Sequence, residues 1–76
     1  EEFMAVLPDC DEFQATNKAE ALRELIEDLE PSGLRVTASF GVAQLRPEDG
    51  YETLFSRADM AMYQAKRAGR NCVFSD

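Results

Sequence analysis

The 76-residue sequence predicts an α/β chain in the order β-α-β-α-β, with helices laid across a sheet. Three observations carry this expectation. Two long stretches, 12–29 and about 53–68, repeat apolar residues at spacings of three and four, the period of a helix face. Between them, Leu34 to Ala43 alternates large and small side chains, the period of a strand. Short apolar runs stand near both ends, at Phe3 to Leu7 and at Cys72-Val73-Phe74.

The first run reads as a strand that Pro8 stops, because proline cannot donate to a ladder. Asp9, Cys10 and Asp11 form a polar turn in which either aspartate is a suitable helix cap. In the first helix, Ala15, Ala19, Leu22, Leu25, Ile26 and Leu29 form the apolar stripe. Its first turns are small, so close packing on a sheet is expected there. Glu20, Glu24 and Asp28 repel mildly on a solvated face, which Arg23 paired with Glu27 partly offsets. Pro31-Ser32-Gly33 stops the helix. In the central strand, Leu34, Val36, Ala38, Phe40 and Val42 take one face, and Thr37, Ser39, Gly41 and Ala43 the other. That small second face implies close approach by a helix or ligand, and Gly41 either serves that approach or marks a bulge. Gln44 to Gly50 is a loop with Pro47 and Gly50 as turn markers. The second helix buries Leu54, Phe55, Ala58, Ala61, Met62 and Ala65, with Thr53 as its expected cap and Gly69 as its end. Met60 and Tyr63 fall off this stripe.

A chain of this length is one domain at most, and it buries only about 60–65% of its extended surface. The net charge of -7 is uneven: residues 1–56 hold thirteen acids and four bases, whereas residues 57–76 hold two acids and four bases. The balance argues against a nucleic-acid binder, which needs a broad basic face, but permits one local anion site near the C-terminal end. No apolar run approaches the roughly 18 residues of a membrane helix, and a cytoplasmic location is expected. The chain has no histidine, which leaves Cys10 and Cys72 without the partners of a zinc site or a Cys-His nucleophile. Free thiols are the expected state of both cysteines.

Two groups could carry chemistry. Glu1 and Glu2 are adjacent hard-oxygen donors, and at a turn both can approach one divalent cation, although on this ground alone plain surface charge is the favoured reading. Lys66 and Arg70 are four apart and share a helix face if the last turn persists. Lysine offers a phosphate a mobile point charge and arginine a forked set of donors, though bases are also common in a last helical turn, where they complement the dipole. Arg67 points elsewhere, to solvent. Asn71 caps the helix or binds locally. Phe40 and Tyr63 read as core or half-buried aromatics, and Asp59 as surface charge or as a partner that orients Arg57.

At this point the residues resemble a known family, the GGDEF domain of diguanylate cyclases. The opening Glu1-Glu2-Phe3 looks like the end of the Gly-Gly-Glu-Glu-Phe signature. The stretch Val36-Thr37-Ala38-Ser39-Phe40-Gly41-Val42-Ala43 resembles the family's VT-x-S-x-GVA strand. The run from Ala58-Asp59 through Ala65-Lys66 to Gly69-Arg70-Asn71 resembles its AD-x-ALY-x-AK-x-x-GRN motif. Three matches in order, at the usual intervals, cover essentially the whole chain and about half of a full domain. Cys72 stands where the family often has arginine.

The resemblance implies a nucleotidyl-cyclase-like α/β sandwich, present here as the C-terminal half of a single domain, residues 1–76. It implies that Glu1 and Glu2 bind magnesium or manganese, and that Glu2 also serves in activating a ribose 3'-hydroxyl. It implies that Lys66 and Arg70 hold the terminal phosphates of GTP. The reaction would condense two GTP into cyclic di-GMP with release of pyrophosphate. Each domain holds one GTP, so the partners implied are a second copy of the domain and an upstream sensory or receiver module, with neither nucleic acid nor membrane touching this segment. The alternative is a degenerate member that binds nucleotide or protein without turnover. The family's sheet has an N-terminal strand between the two longer strands of this segment, so the 76 residues are not expected to fold stably alone.

Overall fold

The computed structural model describes residues 5–29, 33 and 36–76. Its elements run α1 (Glu12–Leu29), β1 (Phe40–Val42), α2 (Tyr51–Arg67) and β2 (Val73–Ser75). The α/β order of the sequence pattern is therefore present, with two strands rather than three among the described residues. Of the expected first strand, Phe3 and Met4 lie outside the described residues, and Ala5–Leu7 join no ladder.

Helix α1 starts at a reciprocal cap. The Asp11 carboxylate accepts the Gln14 amide N–H at 2.8 Å, and the Gln14 side chain accepts the Asp11 N–H at 3.0 Å. Each satisfies a donor that the first turn leaves orphaned. Of the two candidate caps, Asp11 is the one used. The Glu12 N–H donates to the Gln44 side chain at 2.8 Å, which ties the start of α1 to the loop after β1.

Strands β1 and β2 pair in parallel, Phe40 with Val73, Gly41 with Phe74 and Val42 with Ser75. Helix α2 makes the crossover that parallel strands require. The long strand expected over Leu34 to Ala43 is shorter in the structure. Leu34 and Arg35 lie outside the described residues, and 36–39 are extended without a ladder. The reason is the partner: β2 offers three residues, so the ladder stops when they do. Gly41 does serve a close approach. A methyl group there would meet the Ala58 carbonyl oxygen and the Met62 amide nitrogen, and would lie 2.8 Å from the Met62 Cα. Glycine is needed for space, since its φ is not left-handed.

The cap of α2 differs from the expectation. Gly50, not Thr53, is the N-cap, and no side chain bonds there. A tight turn sets the boundary earlier. The Asp49 N–H reaches the Arg46 carbonyl at 2.9 Å, and the Arg46 N–H reaches the Asp49 carboxylate at 2.8 Å, with Pro47 between them. Proline presets the backbone of such a turn. The rings of Tyr51 and Phe55, one helical turn apart, then stack at 6.2 Å.

Among the described residues only Val42, Ala61 and Ala65 are buried. Leu22, Leu25 and Leu29 of the α1 stripe are about half exposed or more. The chain exposes 5829 Å², whereas a compact chain of 8.5 kDa exposes roughly 4,700 Å².

Candidate phosphate-binding groove

Helix α2 ends in a turn that the sequence made plausible and the backbone makes specific. Ala68 is the C-cap, and Gly69 follows at φ 119°. The Arg70 N–H donates to the Ala65 carbonyl at 3.0 Å and the Gly69 N–H to the Lys66 carbonyl at 3.4 Å. These are the two bonds of a Schellman motif, which satisfies carbonyls that the helix end would leave bare. Arg70 and Asn71 continue in left-handed conformation, at φ 64° and 50°. Arginine there costs roughly 1–2 kcal/mol, while asparagine tolerates the region better.

Lys66 and Arg70 lie on either side of this helix end. Both line a groove of about 1480 Å³. The apolar stripes of the two helices, including Leu22, Ile26, Leu54 and Met62, form other parts of its lining, as do Ala5–Cys10 and the extended segment 36–39. Lys18 of α1 also lines it, a third cation that the sequence pattern did not single out. Among the described residues the Arg70 guanidinium has no partner. Arg67 lies outside this groove, its guanidinium 5.8 Å from the centre of the Tyr63 ring, and Tyr63 is exposed rather than half-buried.

Two polar networks tie the helices to the rest of the fold. Arg23 donates to Glu20 at 2.5 Å, to Glu27 at 3.4 Å and to the Asn71 side-chain oxygen at 2.9 Å. The first of these bonds, to Glu20, does most to hold its pKa above the ordinary arginine value. At the far end, Arg57 donates to Asp76 at 2.7 Å, to the Gln44 carbonyl at 2.7 Å and to Asp49. Arg57 is thus oriented by Asp49 and Asp76, not by Asp59. The bond to Asp76 is the main cause of its raised pKa. Asp49 is held below the ordinary carboxylate value, first by the Arg46 N–H and then by Arg57. Its side chain is only 2% exposed, so this pair seals the start of α2.

Glu1 and Glu2 lie outside the described residues. Among the described residues no group of three or more histidines, cysteines or acids is gathered to hold a metal ion. Cys10 and Cys72 are both free, and the Cys72 thiol donates to the Ala65 carbonyl at 3.3 Å. Among the described residues no helix is long and apolar enough to cross a membrane.

The family model for the GGDEF domain of diguanylate cyclases matches residues 1–72. This chain belongs to the GGDEF family. Similar proteins include the diguanylate cyclase DgcM of Escherichia coli K12, 40% identical over 76 residues, with 99% of this chain and 18% of DgcM aligned. The diguanylate cyclase VdcA of Vibrio cholerae is 39% identical over 80 residues, covering 96% of this chain and 24% of VdcA. The diguanylate cyclase DgcZ of Escherichia coli K12 is 28% identical over 81 residues, covering 100% of this chain and 27% of DgcZ. This GGDEF chain thus spans about a fifth to a quarter of the length of these curated relatives. No solved structure matches it.

Proposed function

We propose that residues 1–76 are the C-terminal half of one GGDEF domain whose complete form is a diguanylate cyclase. The observation that carries this reading is that Lys66 and Arg70 line one groove. Two cations from the end of α2 and its Schellman turn line the same groove as Ala5–Cys10, a segment that begins three residues after Glu2. An anion lying there would meet a point charge and a forked donor together.

The groove also supports the half-domain reading. It lies between Ala5–Pro8 and the extended segment before β1, where the family likeness puts an N-terminal strand. Apolar stripes from both helices would cover such a strand on folding.

In the reaction, the 3'-oxygen of one GTP forms a bond to the α-phosphorus of another, and the bond from that phosphorus to pyrophosphate breaks. Lys66 and Arg70 hold the terminal phosphates and neutralise the charge that gathers on the leaving pyrophosphate. Glu1 and Glu2 would hold magnesium or manganese, and Glu2 would also assist loss of the hydroxyl proton. The ion's chemistry, when bound, is to lower the pKa of that hydroxyl and screen phosphate charge. The second GTP comes from a second copy of the domain, brought close by a sensory or receiver module upstream.

The test is GTP affinity in the full-length protein. A hydrogen bond to a charged group contributes about 1.5–3 kcal/mol, so Lys66→Ala and Arg70→Ala should each weaken binding roughly 10- to 100-fold. Wild-type affinity in both variants would remove the basis of the reading.

A further inference from the structure

We infer that Asn71 is a positioning residue: clamped by Arg23, Glu27 and Ser39, it sets the direction in which Arg70 enters the groove. The inference rests on the phosphate reading of Arg70 given above.

Asn71 uses its polar groups in three directions. Its backbone N–H donates to the Ser39 hydroxyl oxygen at 3.0 Å. Its side-chain Nδ2 donates to Glu27 Oε2 at 3.0 Å, and its Oδ1 accepts from Arg23 Nη1 at 2.9 Å. A guanidinium can only donate and a carboxylate can only accept, so one orientation of the amide satisfies both. Arg23 is itself held by Glu20 and Glu27, and its side chain is 15% exposed. The turn is therefore fastened at Asn71 to α1 on one side and to the segment before β1 on the other.

Arg70 is the residue immediately before this clamp. Its backbone is left-handed, as is that of Asn71. Such a conformation persists at residues other than glycine when the surroundings over-determine it. The amide and side-chain bonds of Asn71 supply that constraint, while Arg70 itself is among the residues that line the groove. Without the clamp the turn can relax toward commoner backbone angles, and Arg70 would leave the lining of the groove. An ordinary structural bond would cost only stability. A positioning bond loses its effect on the ligand once Arg70 is gone.

That difference sets the experiment. Affinity for 3'-deoxy-GTP, which lacks the attacking hydroxyl, is measured in the full-length protein for wild type, Arg70→Ala, Asn71→Ala and the double variant. Asn71→Ala alone should weaken binding about tenfold, a coupling typical of residues in contact. In the Arg70→Ala background it should weaken binding no further. An equal loss in both backgrounds, or no loss in either, would overturn the positioning role while leaving Arg70 as a phosphate ligand. Wild-type affinity in Arg70→Ala would instead overturn the phosphate reading beneath it. If Asn71→Ala does not fold, Ser39→Ala, which removes only the hydroxyl that the Asn71 amide reaches, takes its place in the same cycle.

Discussion

Gly41→Ala sets two opposed effects against each other at the contact between β1 and α2. Alanine restricts the unfolded chain, which favours folding by about 0.4–1 kcal/mol where the native backbone accepts it. The backbone of Gly41 is outside the left-handed region, so this gain applies in full. Against it stands the missing space. The new carbon would lie 2.8 Å from the Met62 Cα and closer still to the Ala58 oxygen and the Met62 nitrogen. Carbon pairs settle at about 3.5–4.0 Å, so α2 must withdraw by roughly 1 Å. The obstructing atoms are backbone and cannot rotate away. A gap of that size forfeits up to about half of the dispersion energy of the contacts it opens. Overpacking of this kind costs about 1–3 kcal/mol, which exceeds the gain and leaves a net loss of roughly 1–2 kcal/mol. In a complete domain of about 150–250 residues that lowers the melting midpoint by roughly 2–8 °C. Thermal denaturation of the full-length variant reads it directly. A midpoint equal to or above wild type would refute the claim that Gly41 is there for space.

Asp49 gives a pH-dependent prediction. Its carboxyl is held below the ordinary value of 3.8, so its contribution is complete above that pH and is lost as pH falls through the lower folded value. Asp49→Asn should therefore be less stable than wild type at neutral pH, with the gap in urea midpoint closing below pH 3.8; a constant gap would contradict the ion-pair account. The 76-residue segment made alone should unfold over a broad range without a sharp transition, since three of its described residues are buried; a single sharp calorimetric peak would count against the half-domain reading.

The helices were legible because a 3.6-residue period is a local signal that survives without knowledge of partners. The cap was legible only as a choice between Asp9 and Asp11, which the reciprocal bonds with Gln14 decide for Asp11. The start of α2 was not, because a turn closed by Asp49 and held by Arg57 fixes it, and that pair is eight residues apart. Alternation over Leu34 to Ala43 reports which side chains share a face. It carries no record of how long a neighbouring strand is, so it overstated β1. At the candidate site, Lys66 and Arg70 could be named from motif and spacing. That both line one groove is visible only in the structure. The tie from Arg23 to Asn71 spans 48 residues and leaves no trace in any local pattern.

The left-handed stretch from Gly69 to Asn71 also shapes how the site can be interrogated. An alanine exchange at Arg70 alters charge and main-chain preference together, because its φ of 64° suits some side chains and penalises others. Valine or isoleucine would conflict with that angle outright, and proline cannot reach it. Arg70→Asn discards the cation while retaining a residue at ease in that geometry, and Arg70→Lys retains the cation without the fork. Comparing the two separates electrostatics from local shape, a distinction that alanine by itself would blur.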